Sequence, residues 1–153
     1  MSSSGARTRV ADAEFPRSSG VYVVWAPGAA PRPLYVGRAA TQTIEQRWRR
    51  QHLLDRAGGS ALRRSLGVHL DLVDKKLSVK RDGRFYPPDV ETDITSFLGT
   101  CEVEFLLVTT AAEAIALEAE MISKLRPILN ARRPTVSRTP EEHAVLAAAA
   151  QLY

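Results

Sequence analysis

Gly20-Val-Tyr-Val-Val-Trp25, then Ala26-Pro-Gly-Ala-Ala-Pro-Arg-Pro33, then Leu34-Tyr-Val-Gly-Arg38 follow one another without a break. Two short runs of β-branched and aromatic residues around a Pro/Gly-rich turn predict two antiparallel strands. Each run carries one tyrosine, Tyr22 and Tyr35, where a cross-strand neighbour can stand beside it. The loop Ala39-Ala-Thr-Gln-Thr43 leads into a helix from Ile44 to about Leu54, with Thr43 as its cap and Glu45 near its positive end. The rest of the chain is organised around this unit, a hairpin followed by a basic helix at residues 20–52.

Downstream, Gly58-Gly59 breaks the chain and Ser60 caps a short basic helix, Ala61-Leu-Arg-Arg-Ser-Leu66, expected to stop at Gly67. Residues 77–85 alternate around Asp82-Gly83 and read as a small hairpin closed by Pro87-Pro88, after which Asp89 is expected to cap a helix to about Leu98. Glu102-Val-Glu-Phe-Leu-Leu-Val108 is nearly all apolar from Phe105 on, the pattern of a central strand buried on both faces. Thr109-Thr110 with Glu113 starts a helix from Ala111 to about Leu125 that ends before Arg126-Pro127. Four parts are expected: a flexible arm (1–17), a domain (18–130), a polar linker (131–138) and a tail helix (139–153) opened by Thr139-Pro-Glu-Glu142.

A chain of 153 residues is long enough for one domain with a sizeable core, burying roughly 70% of the unfolded surface. The single Cys101 has no partner for an intramolecular disulfide, and the first residues lack the apolar stretch of a secretory signal, so a cytoplasmic location is expected. No apolar run approaches the ~20 residues that span a bilayer. Charge is unevenly spread: Arg38, Arg47, Arg49, Arg50, Arg56, Arg63 and Arg64 face only Glu45 and Asp55 between residues 38 and 64. That surplus exceeds the net charge of +4 for the whole chain. It points either to a phosphate-rich partner or to a solvated arginine face.

On the helix from Ala111, the residues Ile115, Glu118, Ile122 and Leu125 share one stripe, with a carboxylate in its middle. Burying that charge alone is costly. It needs a metal, a hydrogen-bond donor or a salt bridge to an arginine, or else it lines a cleft. Cys101, His69 and His143 have no partners at metal or nucleophile spacing and read as structural, and Trp25 reads as core.

Gly20-Val-Tyr22 and Tyr35-Val-Gly37, then Glu45-Gln-Arg47-Trp48, then Leu117-Glu118-Ala-Glu-Met-Ile122 followed by Pro127 and Asn130, resemble in order the signatures of the GIY-YIG nuclease family. The resemblance implies a small α/β (α+β) domain with a three-stranded antiparallel sheet flanked by helices. It implies a metal-dependent endonuclease acting on DNA, with RNA as a second candidate, and with Mg²⁺ or Mn²⁺ as cofactor. By the same match Glu118, not Glu120, is the metal ligand; Arg47 meets the phosphate, with Arg49 as the fallback; Tyr22 is the general base; Tyr35 assists it; and Asn130 supports the site. As a base Tyr22 would need nearby cations to lower its phenol from about 10. Many members carry a His or Tyr four residues beyond the arginine, whereas His52 is the fifth here. On a regular helix that places it about 140° away from Arg47, so His52 is a candidate catalytic group only if the helix unwinds. Arg38, Arg49, Arg50, Arg63 and Arg64 are the candidate nucleic-acid-binding residues. A second reading of the same resemblance is a non-catalytic nucleic-acid-binding module, and the tail helix at 139–153 is a candidate surface for a protein partner or self-association.

Overall fold

The structure is a computed structural model and describes residues 2–3, 7–28, 30–77 and 84–130. The expected hairpin at 77–85, the linker and the tail helix lie wholly or largely outside the described residues.

Short strands β1 (Ser2–Ser3) and β2 (Thr8–Arg9) precede the hairpin of β3 (Gly20–Trp25) and β4 (Tyr35–Ala39). Then come α1 (Ile44–Arg47), which continues as a π-helical turn Trp48–His52, α2 (Ala61–His69), α3 (Pro88–Thr100), β5 (Glu102–Leu107) and α4 (Ala111–Leu125). All strand pairs are antiparallel, and β3 lies between β4 and β5.

Two expectations about the sheet change. The sheet is not three-stranded: β1 and β2 both pair with the outer edge of β5, Ser2 opposite Leu107 and Thr8 opposite Val103. These pieces of the expected arm cover backbone groups that would otherwise form an open edge. The wholly buried central strand is β3, not β5, which alternates between buried Val103 and Phe105 and half-exposed glutamates.

Because side chains alternate along a strand, β3 serves two cores. Tyr22 and Val24 pack with Ile44, Trp48, Leu62, Leu66 and Phe97 of the helices on one face. Val21, Val23 and Trp25 pack with Ala114 and Leu117 of α4 on the other. The expected stripe on α4 is therefore rotated: Ala114 and Leu117 face the core, while Ile115 is exposed. Glu118 is thus moved from the middle of the core face to its border, where it can line a cleft.

Caps set the helix starts. Thr43 and Gln46 form a capping box, Ser60 accepts from the Arg63 amide, and Thr110 accepts from the Glu113 amide. Asp89 does not cap α3; Pro87 occupies that position without a side-chain bond, and Asp89 lies in the first turn. The short basic helix runs past Gly67 to His69.

Arg63 is fully buried, against the expectation that it tracks a nucleic-acid backbone. Its guanidinium donates to Glu91 Oε1 at 2.9 Å, to the Glu91 carbonyl at 2.8 Å, to Thr95 Oγ1 at 2.8 Å and to the His52 carbonyl at 3.0 Å. Glu91 in turn accepts from the amides of Ala57 and Tyr86 through Oε2, at 2.7 and 3.0 Å. The pair therefore fastens α2, α3 and the turn holding His52 together. Arg63→Ala should lower folding stability by about 3–5 kcal/mol, because it leaves a buried carboxylate without its counter-charge. Urea denaturation checks this; a surface phosphate contact would leave the midpoint unmoved.

Candidate active site

Tyr22 stands directly opposite Gly37 in the register of β3 and β4. A Cβ on Gly37 would fall 2.5 Å from the Tyr22 Oη and Cζ atoms. The missing side chain is what lets the phenol lie across β4. Gly20 is similarly confined, since a Cβ there would meet the Leu106 carbonyl oxygen. Both signature glycines are thus explained by close approach.

Three groups converge on the phenol. Its oxygen lies 2.5 Å from His52 Nε2 and accepts a longer bond, 3.4 Å, from Arg47 Nε. His52 Nδ1 in turn lies 2.7 Å from Ser60 Oγ. Arg47 and His52 reach one atom although five residues separate them, because the Leu53 amide bonds to the Trp48 carbonyl, an i to i+5 link of 2.8 Å. A π turn brings residues five apart back to nearly the same face, removing the rotation that a regular helix imposes. Trp48, with its ring centroid 5.0 Å from that of His52 and stacked on Phe15, walls the imidazole in.

The surroundings fix the charge states. Burial, then the charge of Arg47 and of Arg63, holds the His52 imidazole well below its usual range, so it is neutral at physiological pH. Burial first, then Tyr35, pushes the Tyr22 phenol above its ordinary value, with Arg47 only partly opposing them. This reverses the expected lowering: one nearby cation does not offset the loss of water.

A cleft of about 720 Å³ opens at the edge of β4. Tyr35, Arg38, Arg47, Glu118, Ile122 and Asn130 line it, with Gly58, Gly59 and Arg64. Tyr22 and His52 are completely buried behind these residues. Glu118 Oε1 accepts from Arg38 Nη1 at 2.5 Å, and Oε2 has no protein partner among the described residues. Asn130 clasps the edge strand, accepting from the Val36 amide at 2.9 Å and donating to the Val36 carbonyl at 2.8 Å. It thereby holds Tyr35 and Gly37 in place from the wall of the cleft.

Of the other arginines, Arg49 and Arg50 are exposed on the outside of the π turn. Arg64 is buried, its guanidinium held by the carbonyls of Ala57 and Gly58 at 3.3 and 2.8 Å, so it is a wall of the cleft and not a free surface cation.

No cluster of three or more His, Cys, Asp or Glu side chains able to hold a metal occurs among the described residues. A single carboxylate still fits Mg²⁺, which keeps most of its water shell and is commonly held by one or two carboxylates. Oε2 of Glu118, which no described residue contacts, is the atom that would hold it. Sequence reasoning missed Ser60 as a neighbour of the site and Glu91 as the partner of Arg63. Glu91 lies 28 residues from Arg63 on another helix, and Ser60, eight residues after His52, gave only a capping signal.

A family model described as the GIY-YIG catalytic domain matches residues 30–150, which include Tyr35, Arg47, Glu118 and Asn130. No curated protein and no solved structure matches the chain. No helix among the described residues is long and apolar enough to cross a membrane.

Proposed function

Because the chain belongs to the GIY-YIG catalytic-domain family, a family of nucleases, we propose that it is a divalent-metal-dependent endonuclease that hydrolyses phosphodiester bonds in DNA. The observation carrying this reading is the meeting of Arg47 and His52 at the Tyr22 oxygen, directly beneath a cleft that also displays Glu118.

Glu118, through Oε2, would hold Mg²⁺ or Mn²⁺, which when bound neutralises charge on the phosphate and on the leaving 3′ oxygen. Arg47 is held to Tyr22 only by its 3.4 Å bond. A phosphate entering the cleft offers it a charged acceptor and draws the guanidinium outward. That movement uncovers the Tyr22 oxygen; once the phenol has given its own proton to solvent in the cleft, the phenolate takes a proton from the attacking water, while Tyr35 at the cleft wall orients that water. The Trp48 and Tyr22 rings exclude bulk solvent beneath.

The test is a cleavage assay with Mg²⁺, Mn²⁺ or chelator on single-stranded, double-stranded, flapped and branched DNA and on RNA. Within it, Arg47→Ala should lower the single-turnover rate at saturating DNA by about 10²-fold with a modest affinity loss, since a donor aimed at charge that develops late acts on the transition state. Arg47→Lys should not recover it, because an ammonium lacks the planar fork. Arg49→Ala and Arg50→Ala should instead weaken binding and lower its salt slope by about one unit each, with the saturated rate unchanged. Filter binding at several salt concentrations completes the comparison. If Arg49→Ala carries the rate defect, Arg47 is not the phosphate ligand.

The Arg38 to Glu118 pair favours one other reading, a nucleic-acid-binding module in which Arg38 has replaced the metal. That reading expects DNA retention and no cleavage with any metal.

A further inference from the structure

Ser60, His52 and Tyr22 form a chain of three hydroxyl or ring groups joined by two short contacts, 2.7 Å and 2.5 Å. With His52 neutral, these groups carry three polar hydrogens: one on Ser60, one on the imidazole and one on the phenol. Two links can use only two of them. The third is left over at one end of the chain, and the end it occupies decides the tautomer.

If Nδ1 carried the ring hydrogen, Ser60 would accept it, and the serine hydrogen would be the one left over. Ser60 is 1% exposed. Its oxygen already accepts from the Arg63 amide at 3.1 Å, and no acceptor for its hydrogen other than His52 exists among the described residues. That arrangement strands a buried donor. In the opposite arrangement Ser60 donates to Nδ1, Nε2–H donates to the Tyr22 oxygen, and the leftover hydrogen is on the phenol, which is itself fully buried, so the two arrangements differ only once the phenol ionises. Removing it, as a general base must, leaves every donor in the chain satisfied. The α2 N-terminus starts the series, because the Arg63 amide polarises the Ser60 hydroxyl.

We propose that Ser60 is a positioning residue that fixes His52 in the Nε2–H tautomer, making the imidazole a hydrogen-bond donor to the Tyr22 oxygen and not a base that takes the phenol proton. The choice between the tautomers rests on the nuclease reading, in which the phenol works ionised, and the ring spectrum reads it apart from cleavage. Arg47 and Arg63 are the cations facing this chain, and Tyr35 and Glu118 are the other ionisable groups acting on the phenol.

The direct test is a two-bond ¹H–¹⁵N correlation spectrum of the ¹⁵N-labelled chain, with the His52 ring assigned by its loss in His52→Gln. Nε2 should be the protonated nitrogen and Nδ1 the bare one; the reverse overturns the proposal, whatever the enzyme does. In Ser60→Ala the two ring nitrogens should move toward a mixed-tautomer average, while Ser60→Thr, which keeps the donor, should restore the wild-type positions. Wild-type ring shifts in Ser60→Ala overturn Ser60 as the group that sets the tautomer. Where the wild type cleaves DNA, Ser60→Ala should lose about 10-fold or more in saturated rate at unchanged affinity, and Ser60→Thr should recover it. An equal loss in both variants traces the defect to packing around the buried side chain and overturns the positioning role of Ser60. Absence of cleavage by the wild type counts against the nuclease reading, and the spectrum still decides the tautomer.

Discussion

Glu118→Ala is expected to abolish Mg²⁺- or Mn²⁺-dependent cleavage while the protein stays folded. Among the described residues no cluster of carboxylates surrounds the site, so nothing is placed to substitute as metal ligand. Metal-assisted charge stabilisation supplies several kcal/mol at the transition state, enough to bring the rate to background. Read from the sequence alone, the carboxylate sits in an apolar stripe, where burying its charge alone is costly. The structure alters that expectation. Glu118 is paired with Arg38, and both side chains retain some solvent access, 14% and 29%. Loss of the pair should therefore lower stability by about 1 kcal/mol or less. Cleavage, a thermal melt and Mn²⁺ titration calorimetry on the same variant separate the effects. A folded variant that still cleaves removes Glu118 from the metal site, whereas one that collapses identifies a structural ion pair.

Tyr22→Phe should cost about 10²- to 10⁴-fold in single-turnover rate, with DNA affinity little changed. The ring is fully buried and packs edge-on to Trp48 at 5.4 Å. Phenylalanine preserves that packing and removes only the oxygen on which His52 and Arg47 converge. Burial raises the phenol, so at neutral pH little of it is ionised, and the wild-type rate should climb as pH rises toward the phenol's own value. Tyr22→Phe should lose that climb along with the rate. A variant retaining half the activity returns Tyr22 to the core. Tyr35→Phe then becomes the more informative change, because Tyr35 is the phenol that lines the cleft.

The hairpin was legible because turn chemistry and β-propensity are local: the run Val21 to Trp25, a Pro/Gly turn and the second run at Tyr35-Val36 mark β3 and β4. Thr43, Ser60 and Thr110 were legible as caps for the same reason. Strands β1 and β2 were not, since two residues carry no periodicity and their pairing with β5 is set some hundred positions away. Nor was the burial of Arg63, whose partner Glu91 arrives from another helix. An arginine cluster counts charges but does not say which of them face water. The site's order along the chain was readable, but its depth was not. Tyr22 and Glu118 could be named from their motifs, while the placing of the phenol beneath the cleft follows from Gly37 and the edge strand.

The π turn at Trp48–His52 has a consequence for how such a helix can change over generations. Inserting one residue into a regular helix rotates everything beyond it by about 100°, which would normally scramble an active site in a single event. Here the odd residue is taken up within one wide turn. The chain on either side keeps its facing, and Arg47 and His52 still reach the same oxygen. What the wide turn preserves is the atom that both residues touch, even with one more residue between them than a regular turn holds. A length change that looks disabling on paper can therefore pass as a silent edit.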